Sequence, residues 1–247
     1  MYGWRGRIGL LVPSVNPVLE PEFQRVCPYG VSIHSARMQH QGTVNLANLV
    51  EMNKHLKDAT QQLLSIRPTV IAYGCTCGSF HSGIEEEERL VRTIEELANA
   101  PVTTASRAVV EALKELRIKR LSIATPYITE INAQAKRYFE DRGFEILGIQ
   151  GMQIQEASEI ADVCPHEVYR FARKSCRPGS DGLFISCTGL PTLEILGSLQ
   201  EDLGIPVISA SQATIWESLR LARVHAKIAG FGELLTRLHT TFAEAPI

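Results

Sequence analysis

The sequence predicts an α/β protein of two pseudo-twofold-related lobes, each a doubly wound, mostly parallel sheet flanked by helices. Three observations predict it. Short β-branched apolar runs alternate with longer amphipathic stretches along the chain, as in successive βαβ units. The runs are apolar throughout, as in parallel strands covered by helices on both faces. The third observation is an internal repeat.

The strand runs come first. Arg7 to Val12, Val31 to Ser35, Thr69 to Tyr73, Arg120 to Thr125, Phe144 to Ile149 and Gly182 to Ile185 each read as a strand. Between them the spacing turns helical. Leu46, Leu49, Met52, Leu56, Ala59 and Leu63 step by three and four, as do Leu90, Ile94 and Leu97. The acidic cluster Glu85 to Glu88 reads as a helix first turn favoured by the helix dipole, with its side chains in solvent.

The repeat sets the organisation. Arg7–Ser14 matches Arg120–Tyr127, with Pro13 equivalent to Pro126 at an offset of 113. Ile71–Thr76 matches Leu183–Thr188, with Cys75 equivalent to Cys187 at an offset of 112. Pro101–Ser106 matches Pro206–Ser211 at an offset of 105. Three matches in one order imply two lobes of one design. We divide the chain into residues 1–105, carrying Cys75, residues 106–211, carrying Cys187, and residues 212–247. The last part reads as helices, around Ser211 to Leu221 and Phe231 to Thr241, that pack back across the lobes.

Composition bounds the function. The 247 residues suit two lobes of about 100–130 residues. Apolar residues make up 45%, so each lobe can bury its own core. The formal net charge is −2 with Lys and Arg scattered, which leaves no basic face for nucleic acid. No run of 18 apolar residues marks a membrane span, and the first residues lack the pattern of a signal peptide. A cytoplasmic protein is the expectation. Six cysteines are too few for a disulfide scaffold of this length, so free thiols are expected, with Cys27, Cys164 and Cys176 structural or incidental.

In open parallel sheets, ligands bind beyond the carboxyl ends of the strands. The repeated motifs fall there, each read as a strand end followed by a helix start: Pro13-Ser14-Val15-Asn16, Gly74-Cys75-Thr76-Cys77-Gly78-Ser79, Pro126-Tyr127 and Ser186-Cys187-Thr188-Gly189. A pseudo-twofold places Cys75 and Cys187 on one cleft. Backbone N–H groups at a helix start favour a thiolate and bind anions. Ser14, Asn16, Thr76, Ser79, Tyr127 and Thr188 add neutral donors, and no Lys or Arg lies in these loops. Such a site holds a carboxylate and stabilises charge that flows onto it. The spacing of Cys75 and Cys77 lacks the partner ligands of a zinc site. The glycines form no dinucleotide or phosphate loop, so neither metal nor cofactor is expected. His34 and His81, near strand ends, read as satisfied polar residues. His40 to Asn45, with Gly42, is a candidate lid or an ordinary surface loop.

With these motifs the chain resembles the maleate cis–trans isomerase and arylmalonate decarboxylase branch of the aspartate/glutamate racemase superfamily. The resemblance rests on Gly9-Leu-Leu-Val-Pro13-Ser14-Val-Asn16, His34-Ser-Ala-Arg37-Met38, Ala72-Tyr-Gly-Cys75-Thr76, Ala124-Thr-Pro126-Tyr127, Ile185-Ser-Cys187 and Gly204-Ile-Pro-Val207. It implies an aspartate/glutamate racemase-like fold, a small carboxylate substrate and a homodimer or larger homo-oligomer. It implies Cys75 as the nucleophile that adds to an alkene carbon, and Cys187 as the residue that donates and recovers the proton. Asn16 and Tyr127 match residues that hold the carboxylates, and Pro13 and Ser14 match the first cleft loop. Thr76, Cys77, Thr188 and Gly189 complete the substrate-binding set.

The decarboxylases share the second cysteine but carry glycine where this chain has Cys75, and serine where it has Cys77. Cys75 therefore favours isomerase or racemase chemistry. Two features lean the other way. Ala157 stands where the isomerases carry a carboxylate-binding asparagine, and Thr188–Thr192 is closer to a decarboxylase loop. They imply one carboxylate site missing or rebuilt, and a substrate larger or less acidic than maleate. Four readings follow in order: a two-cysteine isomerase of a small unsaturated diacid, a racemase or epimerase at an acidic α-carbon, a decarboxylase using Cys187 alone, and a non-catalytic carboxylate-binding protein.

Overall fold

The structure is a computed structural model that describes residues 2–238. The first half runs β1 (Gly6–Pro13), α1 (Leu19–Val26), β2 (Val31–Met38), α2 (Leu46–Asn53), α3 (Leu56–Leu64), β3 (Val70–Tyr73), α4 (Thr76–Phe80), α5 (Ile84–Ala98), β4 (Val102–Thr104) and α6 (Ala105–Glu115). The second runs β5 (Arg120–Thr125), α7 (Thr129–Asp141), β6 (Glu145–Gly151), α8 (Ala157–Asp162), α9 (Pro165–Ser175), β7 (Gly182–Ile185), α10 (Leu196–Leu203), β8 (Val207–Ser209) and α11 (Ala210–Leu221). The two sheets have orders β2-β1-β3-β4 and β6-β5-β7-β8, all neighbours parallel. Under the repeat these are the same order. Each sheet reverses direction of winding between its first strand and the strand bearing the cysteine, where α/β sheets leave a crevice.

Burial follows strand position. β3 and β7, in sheet interiors under helices, are buried at every residue. β2 and β6 are edge strands and stay largely half-exposed. β4 and β8, three residues each, were not separate elements in the strand reading. They are recognisable as strands because Thr104 and Ser209 end them and at once cap the next helix. Thr104 Oγ1 accepts from Arg107 N–H at 2.9 Å, and Ser209 Oγ from Gln212 N–H at 3.2 Å. The capped helices, α6 and α11, pack on each other across the lobes.

Several expectations need correction. The periodic run Leu46–Leu63 is two helices, interrupted at Lys54–His55. The acidic cluster does open α5, but Glu87 is not solvated. It is 1% exposed and accepts from Thr104 Oγ1, from Tyr138 Oη on α7 of the other lobe and from Nη2 of Arg142, which follows α7. The helix around Ser211 to Leu221 is present as α11. Of the segment Phe231 to Thr241, the structure has one 3₁₀ turn, Leu234–Arg237, and residues 239–247 lie outside the described part. Among the described residues no helix is long and apolar enough to cross a membrane.

Candidate active site

A narrow cleft of about 40 Å³ lies between the lobes at the strand ends. Pro13, Asn16, Cys75, Thr76, Cys77, Tyr127, Cys187, Thr188 and Gly189 all line it. Ser14 does not. Its hydroxyl accepts the His40 backbone N–H at 3.0 Å and anchors the neighbouring strap from behind. Ser79 is also spent elsewhere, on the Thr76 carbonyl and Ser106. A groove of about 430 Å³ between the start of α5 and α7 is roomier but holds no thiol.

Cys75 ends the extended backbone of β3 and is the N-cap of α4, one turn long. Its Sγ accepts from Gly78 N–H at 3.3 Å and lies 3.8 Å from Cys77 Sγ. Gly78 is required by close approach. A Cβ there would lie 2.3 Å from Tyr73 Oη and 3.0 Å from Cys75 Sγ. Cys77 is a thiol, because its hydrogen bond to Cys75 and burial push its pKa well above the usual thiol range.

Cys187 is differently built. No helix starts after it. A loop runs to a 3₁₀ turn at Leu193–Ile195, and Cys187 itself has φ +85°, a left-handed conformation costly for a residue with a Cβ. This corrects the expectation of a helix start at both cysteines. Its Sγ accepts from Gly189 N–H at 3.3 Å. The sulfur touches the cleft, yet the cleft is so narrow that the group is desolvated. Burial, followed by the neighbouring Cys77, pushes its pKa up to about 12. Cys187 is therefore held as a thiol near neutral pH.

Three buried hydroxyls, Thr76 Oγ1, Ser186 Oγ and Tyr127 Oη, make no hydrogen bond to the described protein. Two of these residues, Thr76 and Tyr127, line the cleft. Such orphans are rare and point to a ligand. Burial and the nearby cysteines keep the Tyr127 phenol protonated, a donor. Its backbone is fixed by Asn132 Nδ2, which donates to Tyr127 O at 3.3 Å, and by Gly151, where a Cβ would lie 2.1 Å from that same oxygen.

The lobes are tied across the cleft by polar contacts. Asn16 Oδ1 accepts from Val18 and Leu19 N–H, opening α1, and its Nδ2 donates to Thr188 Oγ1 at 3.1 Å. Thr188 Oγ1 donates onward to Gly74 O at 2.9 Å. Glu22 of α1, buried and raised in pKa by desolvation, accepts from Thr192 and Leu193 N–H and so steadies the loop beyond Cys187. A strap from His40 to Asn45 crosses to the other lobe. Val44 N–H donates to Gln155 O at 2.7 Å and Ala157 N–H to Gly42 O at 2.9 Å. The candidate lid is thus clamped down.

Val44, Ala157, Ile160 and Ala161 make an apolar wall that sequence reasoning did not assemble, and His40 is a further wall residue it missed. The resemblance marked the position of Ala157, and His40 and Val44 fell in the candidate lid, but nothing in the local sequence marks Ile160 or Ala161. His34 shares a hydrogen bond with Ser32 Oγ at 2.9 Å, and His81 Nδ1–H donates to Gly78 O at 3.0 Å. Both are satisfied polar residues and neither lines the cleft. Cys27, Cys164 and Cys176 also lie away from it, and all six cysteines are free.

The maleate isomerase of Nocardia farcinica is 30% identical over 239 residues, covering 93% of this chain and 95% of that protein. The arylmalonate decarboxylase of Bordetella bronchiseptica is 28% identical over 236 residues, covering 92% and 95%. A solved structure of a cysteine-to-serine mutant of the Nocardia farcinica maleate cis-trans isomerase, with a covalently bound succinylcysteine intermediate, superposes with a TM-score of 0.90. It is 28% identical and the match covers 94% of this chain and 98% of that one. A sequence model described as arylmalonate decarboxylase matches residues 8–235. The match spans nearly the whole chain, and the protein belongs to the arylmalonate decarboxylase family.

Proposed function

We propose that the protein is a cofactor-independent cis–trans isomerase of a small cis-unsaturated carboxylate, with maleate as the parent substrate. The observation that carries this reading is the inequality of the two repeat-related cysteines. Cys75 is the extended N-cap of a helix, whereas Cys187 stands in a left-handed turn with no helix after it and is a desolvated thiol. One suits a nucleophile and the other a proton donor.

The chemistry follows from these roles. Cys75 thiolate adds to one alkene carbon, and the π electrons move to the other carbon and its carboxylate. Thr76, Tyr127 and Asn16, neutral donors around the cleft, stabilise that charge. Cys187 S–H delivers its proton to the second carbon, and the former double bond rotates. Cys187 takes a proton back from that carbon, the C–S bond breaks, and the trans alkene leaves. The relative with a succinylcysteine intermediate supports the covalent step.

A proton NMR time course with maleate in deuterated buffer, without added cofactor, tests this. Growth of the fumarate signal supports the reading; unchanged maleate and unchanged maleamate together overturn it. A second reading, decarboxylation of a substituted malonate by Cys187, draws on the apolar wall of Val44, Ala157, Ile160 and Ala161. The narrowness of the cleft and the presence of Cys75 place it second. Release of carbon dioxide from phenylmalonate would move it first.

The resemblance also supports a cytoplasmic homo-oligomer. Tyr2, Trp4 and Tyr29 are large exposed apolar side chains that suit an interface between copies. Sedimentation velocity on the wild type and on Trp4→Ser tests that assembly.

A further inference from the structure

His40 is the wall residue on which a finer assignment rests. It follows β2, is 5% exposed, and lines the cleft. Its backbone is pinned by Ser14 Oγ, and Gly42 N–H donates to its Nδ1 at 3.0 Å. A ring nitrogen that accepts a hydrogen bond carries no proton, so the neutral ring bears its proton on Nε2. That N–H has no partner among the described residues. Burial lowers the histidine pKa and Glu156 only partly opposes this, so the ring stays neutral.

The strap clamps give His40 defined neighbours. Gly42 and Val44 are bonded to Ala157 and Gln155, and Thr43 Oγ1 donates to Glu156 Oε1. Val44 and Ala157 offer the cleft no side-chain donor. Among the described residues no Lys or Arg lines the cleft. The hydroxyls of Thr76 and Tyr127 and the Asn16 amide are the other wall side chains suited to holding a carboxylate, besides Thr188, whose hydroxyl is already engaged.

A second carboxylate here would be met by one neutral N–H in a desolvated wall, with Glu156 and the reacting thiolate nearby. Burying an anion on such terms is costly, whereas an uncharged carbonyl needs only the one donor. We propose that His40 Nε2–H is the specificity donor for the second acyl group of the substrate, and that this group is an uncharged carbonyl, as in the half-amide of a cis-butenedioate. This rests on the isomerase reading for its chemistry, but it is tested by binding alone.

The experiment is calorimetric titration of the wild type, His40→Leu and His40→Gln with three unreactive saturated acids: succinamate, succinate and butyrate. Circular dichroism and thermal melting confirm that each variant is folded. Wild type is expected to bind succinamate tighter than succinate and about tenfold tighter than butyrate, the worth of one good hydrogen bond. His40→Leu is expected to erase the advantage over butyrate, and His40→Gln, which keeps an N–H donor, to restore part of it. Equal preferences in wild type and His40→Leu, or succinate binding tighter than succinamate, would overturn the assignment. If His40→Leu does not fold, nitrogen-15 NMR of the wild-type imidazole decides. Nε2 must keep its proton and shift on adding succinamate, and an unmoved resonance would overturn the assignment. Turnover of maleamate is followed separately, so a failure of isomerisation leaves the binding result readable.

Discussion

Thr188 Oγ1 donates to the carbonyl of Gly74 at 2.9 Å, so the residue after one cysteine holds the residue before the other. The same oxygen accepts from Asn16 at 3.1 Å, and the whole relay is buried. The spacing between Cys75 and Cys187 is therefore set by a hydrogen-bonded link between lobes, not by packing alone.

Thr188→Val should expose the importance of that link. It keeps the shape but leaves Gly74 O and Asn16 Nδ2 short of a partner in a buried place. The expected cost is about 1–3 kcal/mol of stability, read by urea unfolding, with a larger proportional loss of kcat than a distant variant of equal stability. Unchanged stability and kcat would show that the lobes hold their spacing without it.

Gly78→Ala places a methyl where Tyr73 Oη and Cys75 Sγ already stand, at 2.3 and 3.0 Å from the new carbon. Overpacking of this kind costs about 1–3 kcal/mol. The expected result is a lower melting temperature together with slower alkylation of Cys75, since the sulfur must move off the Gly78 N–H. Alkylation of Cys75 at the wild-type rate would mean that the backbone bond does not matter to its reactivity.

Glu87→Leu removes a buried carboxylate from between Thr104, Tyr138 and Arg142. It strands a largely buried guanidinium, and a loss of about 3–5 kcal/mol is expected, as for one broken partner of a buried pair. The double variant Glu87→Leu with Arg142→Leu should recover much of it. A single variant as stable as wild type would contradict the cross-lobe role.

The Cys187 thiol gives a pH prediction with a definite sign. Its folded pKa of about 12 lies above the ordinary thiol value of 9.0, so the folded state holds the proton more tightly than the unfolded one. Its contribution to stability is intact below pH 9 and declines as pH rises from there toward 12. In a Cys75→Ala variant, the rate of Cys187 alkylation, read by peptide mass spectrometry, should still be rising at pH 10. A plateau at or below the ordinary thiol value would contradict a desolvated acid.

Three strands of each sheet and the pairing of Cys75 with Cys187 were readable, because Pro13/Pro126 and Cys75/Cys187 mark equivalent strand ends and Pro101/Pro206 equivalent strand starts. Those marks are local, and so was what they revealed. Glu87 reads as a surface acid because its partners Tyr138 and Arg142 are more than fifty residues away, on the other lobe. His40 and Val44 were legible only as part of a candidate lid, and Ile160 carries no cleft signal of its own, since the cleft exists only when the two lobes meet. Ser14 shows the reverse error. It stands in the first cleft loop, yet its hydroxyl turns back to the His40 backbone. The left-handed turn at Cys187 was hidden because a non-glycine residue gives no warning of a positive φ.

The central claim is that Cys75 forms the covalent bond and Cys187 moves the proton. Cys187→Ser, incubated with maleate or maleamate and analysed by intact-protein and peptide mass spectrometry, tests it most directly. The predicted result is one substrate-sized adduct confined to the peptide containing Cys75, with turnover reduced about 10²–10⁴-fold. An unmodified Cys75 peptide together with turnover at the wild-type rate would contradict it.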